Sequence, residues 1–185
     1  MIVTHETLLH YVKDGVLENS HPDNVNGASI DLTLGAIIYT ERVPINNTGL
    51  GDPVSLAAKE TPPMRPVDIT HQPFHLLPNR FCLAQTQEVF NLPLNVAAKF
   101  VLKSSLARAG LDHSLAGFAD PGWSGSVLTL ELCNNLQFYP LTLTAGMKIG
   151  QIVFYEGKRV AYLNSYAVKG QYNNDKVTTP SKGLR

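Results

Sequence analysis

The stretch Val127-Leu128-Thr129-Leu130-Glu131-Leu132 alternates apolar and polar side chains. Successive side chains of an extended chain point to opposite faces, so Leu128, Leu130 and Leu132 share one face and Thr129 and Glu131 the other. This is the pattern of a strand whose leucines enter a core. The Glu131 face is then either solvated, the ordinary condition of a strand carboxylate, or turned towards a pocket or a subunit interface. A carboxylate drawn into a partly closed pocket can shuttle protons.

Working outward, Ile30-Asp31-Leu32-Thr33-Leu34 shows the same alternation and predicts a half-buried strand, continued by β-type residues over 35–43. Phe74-His75-Leu76-Leu77 and Phe81-Cys82-Leu83-Ala84 flank Pro78-Asn79, a hairpin signal. Residues 97–103 and 148–155 are further strand candidates. Between them, Ser104 to Gly110 reads as a short helical turn. The one longer helix lies at the start, over residues 1–16: Thr4 can cap it, Leu8, Tyr11 and Val12 share a face, and Gly15 can end it. Residues 44–73, with Asn46-Asn47, two glycines and six prolines, predict a long loop or arm rather than a domain boundary. The expectation is a single mainly β domain over residues 1–185, a distorted barrel or jelly roll with a few small helices.

Composition narrows the function. Hydrophobic residues make up 44%, enough for a core. Fifteen basic and 15 acidic residues balance, so a non-specific nucleic-acid binder with a basic surface is excluded as the expectation. No apolar run reaches the roughly 18 residues of a spanning helix, and Met1-Ile2-Val3-Thr4-His5-Glu6 is not a secretory signal. The two cysteines, Cys82 and Cys133, form no CxxC and read as buried thiols in a reducing compartment. The expectation is a cytoplasmic protein with no nucleic-acid or membrane partner.

Four segments carry polar residues in chemically suggestive order. In Lys103-Ser104-Ser105-Leu106-Ala107-Arg108 a serine caps a short helix between two cations, an arrangement that suits phosphate or merely a capped helix. Asp120-Pro121-Gly122-Trp123 is a tight turn that can present a carboxylate to a sugar hydroxyl, with the only Trp walling the site or packing. The third is the Glu131 strand. The fourth is the polar tail over 166–185, either a loose end or a strap over a ligand. His113 reads as a hydrogen-bond partner behind the site or a pH-sensing gate, and Cys133, on Glu131's face, as a packed thiol rather than a nucleophile. His5 and His10 do not share a helix face closely enough to chelate.

Together these segments resemble the dCTP deaminase branch of the trimeric dUTPase superfamily. The resemblance runs nearly end to end, through Asn26-Gly27-Ala28-Ser29-Ile30-Asp31-Leu32-Thr33-Leu34-Gly35, Glu88-Val89-Phe90-Asn91-Leu92-Pro93, Lys103 to Arg108, Asp120-Pro121-Gly122-Trp123 with Thr129-Leu130-Glu131-Leu132, and Ala145-Gly146-Met147-Lys148-Ile149-Gly150-Gln151. It implies a homotrimer with active sites between subunits, a deoxycytidine nucleotide as substrate, and deamination of dCTP to dUTP and ammonia without zinc. The zinc deaminases carry His-x-Glu and Pro-Cys-x-x-Cys, and neither string occurs here.

The same resemblance implies roles. Glu131 would carry the proton from water to the base, Ser104 and the carbonyl of Ala116 would hold the water, and Arg108 would orient Glu131. Asp120 would take the 3′-hydroxyl, and the backbone from Thr129 through Leu130 to Glu131 would read the pyrimidine edge. Lys103, Ser105, Leu106 and Ala107 would hold phosphates. Mg²⁺ would ride on the triphosphate with no direct protein ligand. Tyr166, Gln171 and Asp175 belong to the closing tail. Ser104 and Glu131 are 27 positions apart, the family spacing, but Asp120 stands one position nearer Ser104 and one further from Glu131. Gln171-Tyr172 and Asp175 stand where the family pattern has Lys-Tyr and Gln, leaving Lys169 or Lys176 to restore the charge. The alternatives are a bifunctional enzyme that also releases pyrophosphate to give dUMP, a specialist for dCMP or a substituted cytosine nucleotide, and a nucleotide-binding regulator without turnover. A pure dUTPase has no need of Glu131.

Overall fold

The computed structural model describes residues 1–45 and 48–183. Asn46 and Asn47 of the irregular stretch and Leu184 and Arg185 of the tail lie outside the described residues. Helices are α1 (His5–Lys13), α2 (Ser104–Arg108) and α3 (Tyr166–Lys169). Strands are β1 (Leu17–Glu18), β2 (Ile30–Thr33), β3 (Ile37–Glu41), β4 (Met64–Asp68), β5 (Phe74–Leu76), β6 (Phe81–Asn91), β7 (Val96–Leu102), β8 (Leu111–His113), β9 (Phe118–Ala119), β10 (Ser124–Asn134), β11 (Leu141–Leu143) and β12 (Lys148–Glu156).

The strands build antiparallel sheets, and the fold is mainly β. One sheet runs β4-β3-β6-β10-β8 with β1 added to β6, a second runs β2-β12-β7-β9, and β5 pairs with β11. Leu130 and Leu132 of β10, Phe90 of β6, Leu32 of β2, and Ile152 and Phe154 of β12 are fully buried in one continuous core. The alternation along Val127–Leu132 therefore does as expected from Leu128 onward, with the leucines inside and Thr129 and Glu131 half-buried on the other face.

Before Leu128 the alternation breaks. The register between β10 and β6 shifts between Ser124 and Ser126 and again between Val127 and Thr129. Ser126, Val127 and Leu128 are consequently all buried. Such irregularities re-aim the side chains that follow them. Thr86 patches the gap: its hydroxyl accepts from the Leu128 N–H at 3.0 Å and donates to the Glu88 carbonyl at 2.9 Å.

Several expectations are corrected. The N-terminal helix is shorter than residues 1–16, because Ile2 bridges to Tyr155 and Leu17 already pairs with Phe90. Thr4 takes the N-cap position without a side-chain capping bond. The 74–84 hairpin does not form: a turn lies at Pro78-Asn79, but β5 goes to β11 and β6 to β3 and β10. Asn134 of β10 holds that turn, accepting from Asn79 N–H at 2.8 Å and donating its amide to the Leu76 carbonyl at 2.8 Å. A signal four residues wide cannot report such partners. The irregular stretch contains β4, with Pro66 opposite Tyr39 on an outermost strand, where a missing N–H costs no ladder bond. Asp31, on the expected open face of β2, is buried. Cys82 is buried and Burial pushes its thiol up to about 12, whereas Cys133 is half-buried. Among the described residues no helix is long and apolar enough to cross a membrane.

Candidate active site

A cavity of about 550 Å³ opens on the Glu131 face of β10, within the range of small-molecule sites. Its floor is Thr129 and Glu131 of β10 with Leu83 and Phe81 of β6, since Leu83 is the register partner of Glu131. Ala116, Phe118 and Trp123 form one wall, and Thr61, Pro62 and Met64 form another. Tyr166, Tyr172, Asp175 and residues 179–181 of the tail close over it.

Glu131 is held from behind. His113 Nε2 lies 3.2 Å from Glu131 Oε2, and the ring is buried against Phe100 with centroids 4.6 Å apart. The contact lacks the alignment of a hydrogen bond, and among the described residues neither atom has a hydrogen-bond partner. The Ser114 N–H donates to the Glu131 backbone carbonyl at 3.1 Å, and Ala116, two residues on, lines the same cavity as the Glu131 side chain. Leu115 adopts φ +61° there, a left-handed turn uncommon for a non-glycine residue, and Gly117 packs so closely that a Cβ would meet Phe100 Cβ at 2.6 Å. β8 pairs with β10 over Leu132–Asn134. Among the described residues the same edge beside Thr129 carries no paired strand, which leaves the Thr129 backbone groups for a planar ligand edge, while those of Leu130 face Ala84 of β6.

The turn at Asp120 forms as expected, with Trp123 N–H donating to the Asp120 carbonyl at 3.2 Å and Gly122 at φ +86°. Asp120 itself is exposed and lines a smaller hollow of about 310 Å³, shared with Tyr166 and Lys169. Tyr166 lines both spaces, and burial raises its phenol. Trp123 both walls and packs: it stacks on Phe90 at 5.1 Å, and its Nε1 donates to the Tyr172 carbonyl at 2.8 Å.

The tail is a strap along its own chain. Val127 N–H donates to the Asp175 carbonyl at 3.0 Å, Ser126 Oγ to the Tyr172 carbonyl at 2.8 Å, and buried Thr178 to the Ala84 carbonyl at 3.0 Å. The cation beside Asp175 is neither Lys169, which donates to Asn164, nor Lys176. It is Lys182, whose Nζ lies 2.7 and 3.1 Å from the two carboxylate oxygens and 4.8 Å from the Tyr172 ring centre. Lys182 also donates to the carbonyl of Gln171 at 2.9 Å. Sequence reasoning missed it because seven positions of loop separate it from Asp175.

The segment from Lys103 to Arg108, expected to hold phosphates, stands elsewhere. Ser104, Ser105, Ala107 and Arg108 are exposed on α2, and Leu106 packs partly on the core. None of them lines the Glu131 cavity. Lys103, not Ser104, takes the N-cap position; its ammonium has no acceptor and so makes no capping bond, and it pairs with Asp31 instead. Within one chain, then, Glu131, Ala116, Thr129, Tyr166 and Asp175 come together, while Ser104 and Arg108 do not join them.

Fold and cavity define a mainly β protein with a carboxylate set in a ligand-sized pocket. The family model described as dCTP deaminase-like matches residues 2–157, and the chain belongs to that family. A Mycobacterium bovis protein named "dCTP deaminase, dUMP-forming" is 46% identical over 131 residues, 69% of this chain and 65% of its own length. A Methanospirillum hungatei protein of the same name is 34% identical over 165 residues, covering 88% of this chain and 84% of that protein. The crystal structure of 2′-deoxycytidine 5′-triphosphate deaminase from Agrobacterium tumefaciens has the same fold, with a TM-score of 0.65 at 20% identity, over 84% of this chain and 48% of that one. The chain thus spans just under two thirds of the mycobacterial relative, and its tail lies beyond the range matched by the family model.

Proposed function

We propose that the chain deaminates dCTP hydrolytically and carries the product on to dUMP and pyrophosphate. The observation that carries the deamination is Glu131, half-buried on the cavity floor with the Ala116 segment bonded beside it. The names of the relatives support dUMP, the alternative expectation, over release of dUTP.

In this reading a water held by the Ala116 carbonyl loses a proton to Glu131 as its oxygen adds to C4 of the cytosine. Glu131 passes that proton to N3. The amino group then leaves as ammonia, with a proton returned through the same carboxylate, and a carbonyl remains at C4. Thr129, within the Thr129 to Glu131 stretch, offers the unpaired strand edge to the pyrimidine. The strap over the cavity excludes bulk water. A second water then cleaves between the α- and β-phosphates, giving dUMP and pyrophosphate.

Ser104 and Arg108 enter from a second copy of the chain. Their exposure on α2, away from their own cavity, supports an assembly in which each pocket is completed by a neighbour's α2, as in the homotrimer expected from the sequence. Among the described residues no three His, Cys, Asp or Glu side chains cluster as a metal site. As the resemblance implies, the substrate is taken as its Mg²⁺ complex, the ion neutralising phosphate charge. We place the enzyme in the cytoplasm, in pyrimidine deoxynucleotide metabolism.

The test is to incubate the protein with dCTP and Mg²⁺ and separate the products. dUMP and pyrophosphate in equal amounts are expected. Accumulation of dUTP would leave the deamination and remove the second step, and unchanged dCTP would remove both. Sedimentation should give three times the mass of the chain.

A further inference from the structure

Asp31 stands outside the cavity and is a buried carboxylate with three donors. Asn26 Nδ2 donates to Oδ1 at 2.8 Å, Lys148 Nζ to Oδ2 at 2.9 Å, and Lys103 Nζ to Oδ1. Burial pushes the Asp31 carboxyl up, but the bonds from Lys103, Lys148 and Asn26 outweigh it and hold it below the usual carboxylate range. One negative charge thus faces two positive ones. The excess cation is not buried with the anion: the Lys103 and Lys148 side chains are 27% and 50% exposed against 7% for Asp31.

The placement comes from the sheet. β12 runs between β2 and β7. Lys148 opens β12, and Lys103 follows the end of β7, reaching across β12 to Asp31. The Lys103 N–H points to the Ile149 carbonyl at 3.4 Å, so both lysines meet at one end of the sheet, directly before Ser104. A purely structural ion pair needs one lysine. Two ammonium groups drawn together on one carboxylate repel each other, and an arriving anion relieves that repulsion.

We infer that Lys148 binds the phosphate chain of the substrate together with Lys103, and that Asp31 is a positioning residue that aims the two ammonium groups. This rests on the reading of Lys103 to Arg108 as the phosphate segment. It adds Lys148 and Asp31, neither of which that segment contains. Asp31 does not touch phosphate and acts only through the lysines.

The experiment titrates wild type, K148Q, K148R and D31N with inorganic tripolyphosphate by calorimetry at two salt concentrations, alongside kcat and KM for dCTP. K148Q is expected to weaken tripolyphosphate about tenfold and to flatten its salt dependence. It should raise KM for dCTP more than it lowers kcat. K148R should recover most of the affinity. D31N adds one unit of net positive charge, so a bare charge effect would tighten binding, whereas loss of aim weakens it. An unchanged Kd in K148Q, or no tripolyphosphate binding by the wild type, overturns the inference, and tighter binding by D31N overturns the role of Asp31. If the wild type binds tripolyphosphate, K148Q loses it and dCTP is not turned over, the anion site stands and the proposed reaction falls.

Discussion

Glu131 and Asp175 are carboxylates lining the same cavity, and the chain holds them by different means. Glu131 sits on β10, whose backbone is paired with β6 on one side and whose leucines fill the core. Its position is set by the ladder and by His113 behind it. Asp175 sits on the tail, tied down by isolated bonds to Val127, Ser126 and Thr179 and by the ammonium of Lys182 on both its oxygens. Glu131 lies within the range matched by the family model and Asp175 beyond it. A carboxylate on a paired strand is fixed by the fold as a whole, while one on a strap can release without unfolding anything else.

The largest expected effect is on chemistry at the rigid end. Glu131→Gln should lower kcat for dCTP deamination by about 10³-fold, the usual scale for a lost general acid–base, with the melting temperature nearly unchanged. Equal turnover by the variant would show that the strand carboxylate is not the proton carrier.

Next comes the strand itself. Leu130→Ala removes a fully buried side chain next to Glu131. It should cost about 2–5 kcal/mol, read by denaturant unfolding, and should disturb Glu131 and the tail together. A loss confined to activity would mean that β10 is less rigidly packed than its burial indicates.

The strap should respond locally. Lys182→Ala breaks the pair with Asp175 and the contact with the Tyr172 ring, interactions worth about 0.5–1 kcal/mol at partly exposed sites. Limited proteolysis should cut the 171–182 region faster, with global unfolding unchanged. If cleavage and melting shifted together, the contrast between strand and strap would fail.

The smallest effect concerns buried Glu88, whose two carboxylate oxygens accept the Thr33 N–H at 3.1 Å and whose Oε1 also takes the Thr33 hydroxyl at 2.8 Å. Burial raises its carboxyl, more than the Thr33 bonds lower it. The folded chain therefore keeps this proton to higher pH than the unfolded chain. Stability from this group is greatest in acid and falls as pH rises from the ordinary glutamate value to the raised one. Asp31 has the opposite sign: its lowered carboxyl favours the fold above the ordinary aspartate value and loses that contribution as pH falls below it. Glu88→Gln should flatten the decline that sets in above the ordinary glutamate value in a melting series, and an unaltered profile would assign the decline to other groups.

The legible part of the molecule is the part governed by local period. The leucine face of β10, the short helix after Lys103 and the tight turn at Asp120 follow from patterns a few residues long. The pairing of β5 with β11 could not be read, because a strand's partner depends on what lies beside it and not on its own side chains. The break at Ser126 to Leu128 was equally hidden, since it arises from a register shift against β6 that Thr86 repairs from 42 positions away.

The site divides in the same way. Sequence alone singled out Glu131, Ala116, Thr129, Tyr166 and Asp175, and the fold gathers them into one cavity. Sequence also determined that the chain has residues enough for a core and no net charge. Tertiary structure decided that Lys182 rather than Lys169 or Lys176 meets Asp175. It decided too that the face of β2 carrying Asp31 is closed over, with Lys103 and Lys148 gathered on that carboxylate, and that Ser104 and Arg108 stand apart from the cavity of their own chain. The physical reason is range. Hydrophobic alternation acts between neighbours in sequence, whereas an ion pair forms wherever folding brings two charges within about 4 Å.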